Sequence, residues 1–325
     1  MTSTYPTTRT TTPTDSPGRL PQLGGRAFLS EGGLETDLIF HHGIDLPDFA
    51  SFPLLETADG RRLLTDYFQH VVDLARSHGT GVVFETPTWR ASTDWGVRLG
   101  YDADALDAAN RRCVDFFVDL RAANPDVEIV ISGNLGPRGD GYVVGREMTA
   151  DEAEQYHAPQ IRTLHDAGAD LISAFTVNYV AEAIGIVRAA RTVGAEVVIS
   201  FTVETDGALP SGQPLGEAIE EVDRATGAAP VYFMVNCAHP THFVDVFDQP
   251  GPWHRLRGIR ANASTMSHAE LDEATELDRG DERRLAAGYL EIVEKLPAIS
   301  VVGGCCGTDL AHLRAIASAM VPVAT

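Results

Sequence analysis

The sequence predicts a (β/α)8 barrel of the TIM type, and three observations support that fold. Eight short apolar runs alternate with longer amphipathic stretches. The length, 325 residues, suits one such barrel. Neither a G-x-G-x-x-G loop nor a Walker loop follows an apolar run. A doubly wound open sheet, which usually carries such a loop and fewer units, is therefore the less favoured alternative.

The first 24 residues differ in composition from the rest of the chain. They are rich in Thr, Pro and Ser and almost lack large apolar side chains. Such a segment cannot bury enough surface to fold, so we predict a disordered tail over residues 1–24. It contains no apolar stretch of the kind found in secretory signals. The barrel is expected to occupy residues 25–325.

The apolar runs are short enough for strands of a buried parallel sheet. The predicted strands are Ala27–Ser30, Gly81–Glu85, Glu128–Ser132, Asp170–Phe175, Glu196–Thr202, Val231–Asn236, Arg257–Ala261 and Ile299–Val302.

The stretches between these runs show helical spacing. In residues 61–78, for example, Leu64, Phe68 and Val72 recur on one face. Thr149, with Glu152 three residues later, is the signature of a capping box at a helix start. The other predicted helices cover residues 103–123, 180–193, 216–226, 241–247, 279–296 and 309–320.

The overall charge narrows the range of partners. The formal net charge is −21, and Lys295 is the only lysine. This balance argues against nucleic-acid binding, which requires a basic surface. No run of about 18 apolar residues occurs, so no transmembrane helix is expected. Four cysteines without a secretory signal indicate a reducing cytoplasm.

The most distinctive motif is Gly303-Gly304-Cys305-Cys306-Gly307, directly after the last predicted strand. Adjacent side chains of a regular strand point to opposite faces, so both thiols can approach one point only where the strand has ended. The glycines provide that ending. Three interpretations remain: a pair of packed core thiols, a strained disulfide between neighbours, and a metal site.

A third cysteine favours the metal site. Cys237 follows the sixth predicted strand. Active-site groups of these barrels lie at the C-terminal ends of the strands, so Cys237 should approach Cys305 and Cys306. Three thiolates with an open fourth position are typical of catalytic zinc. Polar residues also end the first three strands, namely Glu31, Thr86 and Asn134.

Three segments carry a resemblance to a known family. They are Gly32-Gly33, Val235-Asn236-Cys237 and Gly303-Gly304-Cys305-Cys306-Gly307. With them, residues 27–320 resemble the homocysteine S-methyltransferases, and Gly133-Asn134-Leu135-Gly136-Pro137 is similar to that family's Gly-Ser-Val-Gly-Pro segment. The resemblance implies a TIM barrel, Zn2+ held by Cys237, Cys305 and Cys306, and a role in methionine biosynthesis.

The resemblance also suggests the chemistry and the substrate-contacting positions. A zinc-bound thiol is deprotonated and can attack the methyl group of a sulfonium or quaternary ammonium donor. The cysteines would carry this catalysis. The residues expected to contact substrate are Glu31, Gly32, Gly33, Thr86, Arg90, Asn134, Phe175, Glu204, Asn236 and Gly304.

Three positions depart from the family pattern. Glu31 stands where relatives have Asp, and Phe175 replaces the Glu that holds the substrate amine. Arg90 stands where betaine-using relatives have Tyr. We therefore hypothesise that the acceptor is not standard homocysteine, or that one substrate carries an extra negative group. Glu204 is a candidate to receive the amine in place of the lost acid.

Other residues have ordinary explanations. Cys113 lies on the apolar side of a predicted helix and is expected to be a core thiol. His239 is expected to be a loop residue, and His268 a surface group. Trp89 and Trp95 are expected to pack, although they could also face a cation.

Three functions follow from the sequence. The first is a zinc-dependent transferase that methylates homocysteine or a related small thiol. The second is a methyltransferase that works with a separate corrinoid protein. The third is a barrel that binds zinc and a thiol without turnover. The sequence leaves the oligomeric state open, including a homo-oligomer.

Overall fold

The computed structural model describes residues 20–321, and they form one closed barrel of eight parallel strands. The predicted (β/α)8 barrel is confirmed. The strands, in both chain and spatial order, are β1 (Phe28–Leu29), β2 (Val82–Glu85), β3 (Ile129–Leu135), β4 (Leu171–Val177), β5 (Val197–Phe201), β6 (Tyr232–Asn236), β7 (Leu256–Ala261) and β8 (Val301–Gly304).

The barrel closes between its first and last strands. Phe28 pairs with Val301 and Leu29 with Val302, and β1 also pairs with β2. All eight predicted strands are present, with shifted ends. The strands β3 and β4 extend beyond the predicted limits, so Asn134 lies within β3 and Phe175 is no longer the last residue of its strand.

The helices pack outside the barrel. They are α1 (Leu34–Phe40), α2 (Ala58–Ser77), α3 (Thr93–Arg98), α4 (Ala103–Ala123), α5 (Ala150–Asp166), α6 (Val180–Val193), α7 (Leu215–Thr226), α8 (His268–Glu273), α9 (Glu282–Lys295) and α10 (Leu310–Met320). The bounds of α4 and α6 match the prediction, and the capping box of Thr149 and Glu152 opens α5. The sequence did not predict α1, α3 and α8.

The prediction of an α-helix over residues 241–247 was wrong. Two short 3-10 helices, Pro240–His242 and Val244–Asp248, occupy this stretch. It lies between Pro240 and Pro250, and so short a segment rarely forms an isolated α-helix. The β6 strand is thus followed by 3-10 turns.

The interior of the barrel changes from apolar to polar toward its C-terminal end. Strand residues two apart share a face, and on four strands an apolar interior residue is followed by a polar one nearer the mouth. The buried pairs are Val83 with Glu85, Val130 with Ser132, Leu171 with Ser173 and Val198 with Ser200. The larger core lies between the sheet and the helices.

The N-terminal boundary differs from the prediction. Residues 1–19 of the predicted tail lie outside the described residues, but residues 20–24 are ordered around a 3-10 helix, Pro21–Leu23. Gln22 is fully buried, and its amide donates to the Tyr232 hydroxyl at 3.3 Å. Leu20 and Leu23 pack against the apolar interior cluster. Within residues 20–321, none of the helices is both long and apolar enough to span a membrane.

Candidate metal and thiol site

The three predicted cysteines converge at the C-terminal mouth of the barrel. The sulfurs of Cys237, Cys305 and Cys306 all lie within 4.8 Å of one another. Cys237 and Cys305 are joined as a disulfide, and Cys306 is free. The bond between neighbouring cysteines that the sequence left open is therefore not formed. Cys113, by contrast, is buried in the core on α4 as expected.

The sulfurs face a cavity, called here the inner cavity, that is lined by all three cysteines. Aromatic rings form much of its wall, and most of its polar residues come from the C-terminal ends of six strands. The lining residues outside the cysteines are Glu31, Leu34, Glu35, Phe49, Glu85, Thr86, Pro87, Trp89, Asn134, Tyr142, Phe175, Thr176, Asn236 and Arg260.

Asn236 holds the end of β6 in an unusual backbone conformation. Cys237 has a φ of 55° and Thr176, on β4, a φ of 60°, both in the left-handed region that side-chain-bearing residues rarely adopt. The Asn236 side chain accepts from the Thr176 amide at 2.9 Å and from the Ser200 hydroxyl at 2.6 Å, and it donates to the Thr176 hydroxyl at 2.9 Å. These bonds offset the strain beside Cys237.

Two further side chains fix the Cys237 carbonyl. Asn262 donates to it at 2.9 Å, and His268 Nε2 lies 2.7 Å from it. The expectation that His268 is a surface group was therefore wrong, because it is 8% exposed and also contacts Glu204 at 3.3 Å. His239 is buried and caps a 3-10 helix, accepting from the Thr241 amide.

Replacing Asn236 with alanine should weaken metal retention. The two hydrogen bonds to Thr176 and the one from Ser200 would be lost, so Cys237 would be less well placed. We expect roughly a 10- to 100-fold loss of zinc affinity, which is typical when a group that orients a ligand is removed. Zinc competition with a chromogenic chelator measures this. Ser200→Ala, which removes one of the bonds, is the matched control and should cost much less.

The glycines let two loops approach closely. A Cβ on Gly33 would lie 2.5 Å from the Cys305 carbonyl oxygen, and one on Gly304 would collide with the Thr308 side chain. The Gly33 amide donates to the Thr308 carbonyl at 3.1 Å. None of Gly32, Gly33 and Gly304 lines the inner cavity, so the structure assigns them to loop packing beside the cysteines.

An arginine and three carboxyl groups form the charged part of the inner cavity. Arg260 donates to Glu31 at 2.5 Å and to the carbonyls of Gly304 and Gly32 at 3.0 and 3.2 Å. Glu85 accepts from the Ser173 hydroxyl. Burial, and then the charge of Glu31, raise the pKa of Glu85 to about 8. Burial also raises the pKa of Glu35, against a hydrogen bond from Ser51.

Because of Glu85, we expect the free energy of unfolding to fall as the pH rises toward 8. Its pKa is 4.5 in an unperturbed chain and about 8 in the fold, so between these values the folded state holds the extra proton. The free energy of unfolding therefore decreases over this window, by up to a few kcal/mol. In Glu85→Gln this slope should flatten. Thermal unfolding between pH 5 and pH 8 measures it, with the exposed Glu220→Gln as control. Equal slopes in Glu85→Gln and wild type would contradict the assignment.

The structure sorts the predicted substrate residues into two groups. Glu31, Thr86, Asn134, Phe175 and Asn236 line the inner cavity. Arg90 and Glu204 do not. The Arg90 guanidinium lies 3.9 Å from the Trp89 ring and 3.8 Å from the Trp95 ring, and it donates to the Gly139 carbonyl. Burial lowers the pKa of Arg90 to about 10.

Four titratable lining residues were absent from the predicted site: Glu35, Glu85, Arg260 and Tyr142. Two of them carried a sequence signal, because Glu85 and Arg260 are charged residues within or at the end of apolar runs. Period-two alternation places them inside the barrel. Tyr142 comes from the loop after β3 and Glu35 from α1, and no sequence pattern connects either with the cysteines.

The donor set fits zinc. Three soft sulfur ligands whose sulfur atoms lie within 4.8 Å of one another are the type of set that zinc selects. The described residues place no other His, Asp or Glu in the same cluster. All three sulfurs border the inner cavity, from which a fourth ligand could approach. The cysteines can hold the metal only when Cys237 and Cys305 are reduced.

Fold and site together define a TIM-barrel protein with a three-thiol centre of catalytic type. Comparison with known proteins agrees: the homocysteine S-methyltransferase profile matches residues 29–320. Homocysteine S-methyltransferase 4 of Zea mays is 26% identical, over 93% of this chain and 92% of its own length. The chain therefore belongs to the homocysteine S-methyltransferase family, and it is an S-methyltransferase.

Solved structures show the same fold. The homocysteine methyltransferase MmuM from Escherichia coli in its oxidized form has a TM-score of 0.69 and 20% identity, covering 90% of this chain and 95% of that one. Its metallated form has a TM-score of 0.68 and 18% identity, covering 89% and 95%.

Proposed function

We propose that this protein transfers a methyl group from a sulfonium or quaternary ammonium donor to the sulfur of homocysteine, with zinc as cofactor. The observation that carries the proposal is the convergence of Cys237, Cys305 and Cys306 on a cavity that also holds both signs of charge. Family membership supports a methyl transfer to homocysteine.

The charged part of the inner cavity suits the amino-acid end of homocysteine. The acid that Phe175 replaces has substitutes in the same cavity, because Glu31, Glu35 and Glu85 all line it and their oxygens can accept from an ammonium group. Burial raises the pKa of Glu35 and Glu85, and a bound ammonium beside either carboxyl would lower that pKa and favour the charged form. Asn134 Oδ1 is buried and has no partner among the described residues, so it offers a further acceptor. Arg260 can meet the substrate carboxylate. The charge argument against standard homocysteine thus loses its basis, and Glu204 is not needed as the amine receptor.

The transfer itself is a substitution at the methyl carbon. The thiol proton of homocysteine leaves to solvent, and a sulfur lone pair forms the new S–C bond. The bond from that carbon to the sulfur or nitrogen of the donor breaks, and its electron pair leaves with the donor as a neutral thioether or amine. When held by the three cysteines, zinc would lower the pKa of the substrate thiol and so keep its sulfur nucleophilic at neutral pH.

The walls of the inner cavity support this reaction by positioning and by excluding water. Phe49, Trp89, Tyr142 and Phe175 line it, and such a surface suits a cationic donor as well as the methylene chain of the acceptor. Holding both substrates in line can contribute several kcal/mol to lowering the barrier. The proposal also places the enzyme in a reducing compartment such as the cytoplasm, because its cysteines must stay reduced to bind metal.

The direct test measures metal content and turnover of the full chain. We expect about one zinc ion per reduced chain, as three thiolate ligands require. Methionine should form from homocysteine with an onium donor such as S-methylmethionine or glycine betaine. Turnover only with added methylated corrinoid would favour the alternative of a separate corrinoid partner. Zinc binding without methionine formation from any of these donors would refute the proposed activity.

A further inference from the structure

The loop after β3 places Tyr142 against the sulfur cluster. The Tyr142 hydroxyl lies 3.8 Å from Cys306 Sγ, and its ring lies 4.4 Å from the His268 ring. A second cavity, of about 200 Å³, is lined by residues of α8 and of the segment that follows it. Among residues 20–321, only Tyr142 and Cys306 line both this second cavity and the inner cavity. Tyr142 therefore closes the inner cavity on the side of Cys306.

The loop that carries Tyr142 has little internal structure to hold it in place. Residues 136–149 form neither helix nor strand, and four of the ten residues 136–145 are glycine. Glycine loses more conformational freedom on ordering than any other residue. The position of this loop must therefore be set by contacts with the rest of the barrel.

Two side chains from the barrel mouth donate to the loop just before Tyr142. Arg90 donates to the Gly139 carbonyl at 3.2 Å. Asn178 Nδ2 donates to the Asp140 carbonyl at 3.0 Å. The Asp140 carboxylate in turn accepts from the Tyr142 backbone amide at 2.7 Å. The backbone is thus fixed at two consecutive residues, and Asp140 extends this order to Tyr142.

Arg90 is the more rigid of these two anchors. It is 8% exposed, and its guanidinium lies between the rings of Trp89 and Trp95. A planar guanidinium held between two aromatic faces has little freedom to move. Within residues 20–321, the bond to Gly139 is its only hydrogen bond, it has no ion pair, and its Nε is buried without a partner. Burying a charge with so few partners is costly, and the group that Arg90 serves is this loop carbonyl.

From these contacts we infer that Arg90 is a positioning residue for methyl transfer: it fixes the loop at Gly139 and so holds Tyr142 as the wall beside Cys306. The importance of this wall for the reaction rests on the proposed function, whereas the closure of the cavity does not. When Tyr142 is displaced, the inner cavity joins the second cavity, and water and solutes gain a route to Cys306. Substrates are then held less firmly, and a misplacement of about 1 Å can cost about 100-fold in rate.

Alkylation of the reduced, metal-free chain tests whether Arg90 holds the wall. Modification of each cysteine by iodoacetamide is followed by mass spectrometry of peptides. We expect Arg90→Gln to raise the rate at Cys306 roughly ten-fold, because the loop loses a hydrogen bond from a charged donor. Cys113, buried on α4, reports any general loosening of the fold and should stay unreactive. An unchanged rate at Cys306, or a parallel rise at Cys113, would overturn the inference.

A double-variant cycle tests whether Arg90 acts through Tyr142. Tyr142→Ala should raise the alkylation rate of Cys306 at least as much as Arg90→Gln does. Adding Arg90→Gln to Tyr142→Ala should then have no further effect, because the wall is already gone. Effects that multiply in the double variant would show that Arg90 acts independently of Tyr142 and would refute the assignment.

Two other arginine variants complete the set. Arg98→Gln is the matched control, because Arg98 also contacts the Trp95 ring, at 4.6 Å, but donates to Asp48 instead of the loop. Its rate at Cys306 should equal that of the wild type, and a rise as large as in Arg90→Gln would count against the inference. If Arg90→Gln does not fold, Arg90→Lys takes its place. It keeps the charge and loses the planar fork, so the rate at Cys306 should still rise, and an unchanged rate would overturn the inference.

Methionine formation separates this inference from the proposed function. The kcat/KM for homocysteine should fall roughly ten-fold in Arg90→Gln and stay at the wild-type value in Arg98→Gln. If Arg90→Gln opens Cys306 to alkylation but leaves kcat/KM unchanged, the positioning role is refuted while the methyltransferase activity stands. If the wild type forms no methionine from any donor, the proposed function fails, and alkylation still decides whether Arg90 holds the wall.

Discussion

Cys306→Ser is expected to remove zinc and methyl transfer while the barrel stays folded. Serine is a much poorer zinc ligand than a thiolate, so zinc per chain should fall from about one to well below one. Because losing a group that only orients a ligand already costs 10- to 100-fold, we expect turnover to fall by at least roughly a hundred-fold. Metal analysis of reduced protein and methionine formation measure the two effects.

Cys306 is the informative choice among the three cysteines. It is free in the structure, so its replacement leaves the Cys237–Cys305 pair intact and should not disturb the fold. Activity is compared in reduced protein, because only reduced cysteines can hold the metal. Cys113→Ala is the matched control, because Cys113 is buried on α4 and does not line the inner cavity. Full zinc content or full turnover in Cys306→Ser would contradict the three-thiol site.

Arg260→Ala is expected to produce the largest loss of stability. Glu31 is 3% exposed, and its other contacts are the Ser30 hydroxyl at 3.0 Å and the Glu85 amide at 3.4 Å. Removing Arg260 would leave the Glu31 charge buried without a counterion, which costs about 3–5 kcal/mol. The carbonyls of Gly32 and Gly304 would lose their donors as well. Such a loss is comparable to the whole stability of many domains.

Urea unfolding of a set of four proteins tests this explanation. The set is the wild type, Arg260→Ala, Glu31→Gln and the double variant, and the free energy of unfolding is measured for each. If the unpaired charge causes the loss, Glu31→Gln in the Arg260→Ala background should recover a large part of it. Arg260→Lys should be intermediate, because it keeps the charge and loses the fork of donors. A cost below about 1 kcal/mol for Arg260→Ala would show that the pair is not a buried ion pair of this kind.

Much of the fold could be predicted because strand and helix periods are local properties. All eight strands were located from apolar runs, and α4 and α6 were predicted to the residue. Of the two failures, one has a local cause and the other a long-range one. The Pro-bounded stretch 241–247 forms 3-10 turns, and Gln22 packs under the barrel through a contact with Tyr232, 210 positions away.

The candidate site likewise contains residues that the sequence could predict and residues that it could not. Cys237, Cys305 and Cys306 were predictable because each follows a strand, and all parallel strands of a barrel end at one rim. Sequence position alone does not show that the Arg90 guanidinium stacks between Trp89 and Trp95. Glu35 and Tyr142 reach the inner cavity from α1 and from a loop.

The sequence by itself thus determined the barrel, the rim that carries the candidate site and the three cysteines that meet there, because alternation and strand ends are written in neighbouring residues. Only the tertiary structure decided which charged side chains line the inner cavity. Glu85, Glu31 and Arg260 are far apart along the chain, and their pairing, burial and pKa depend on strands that become neighbours only when the barrel closes.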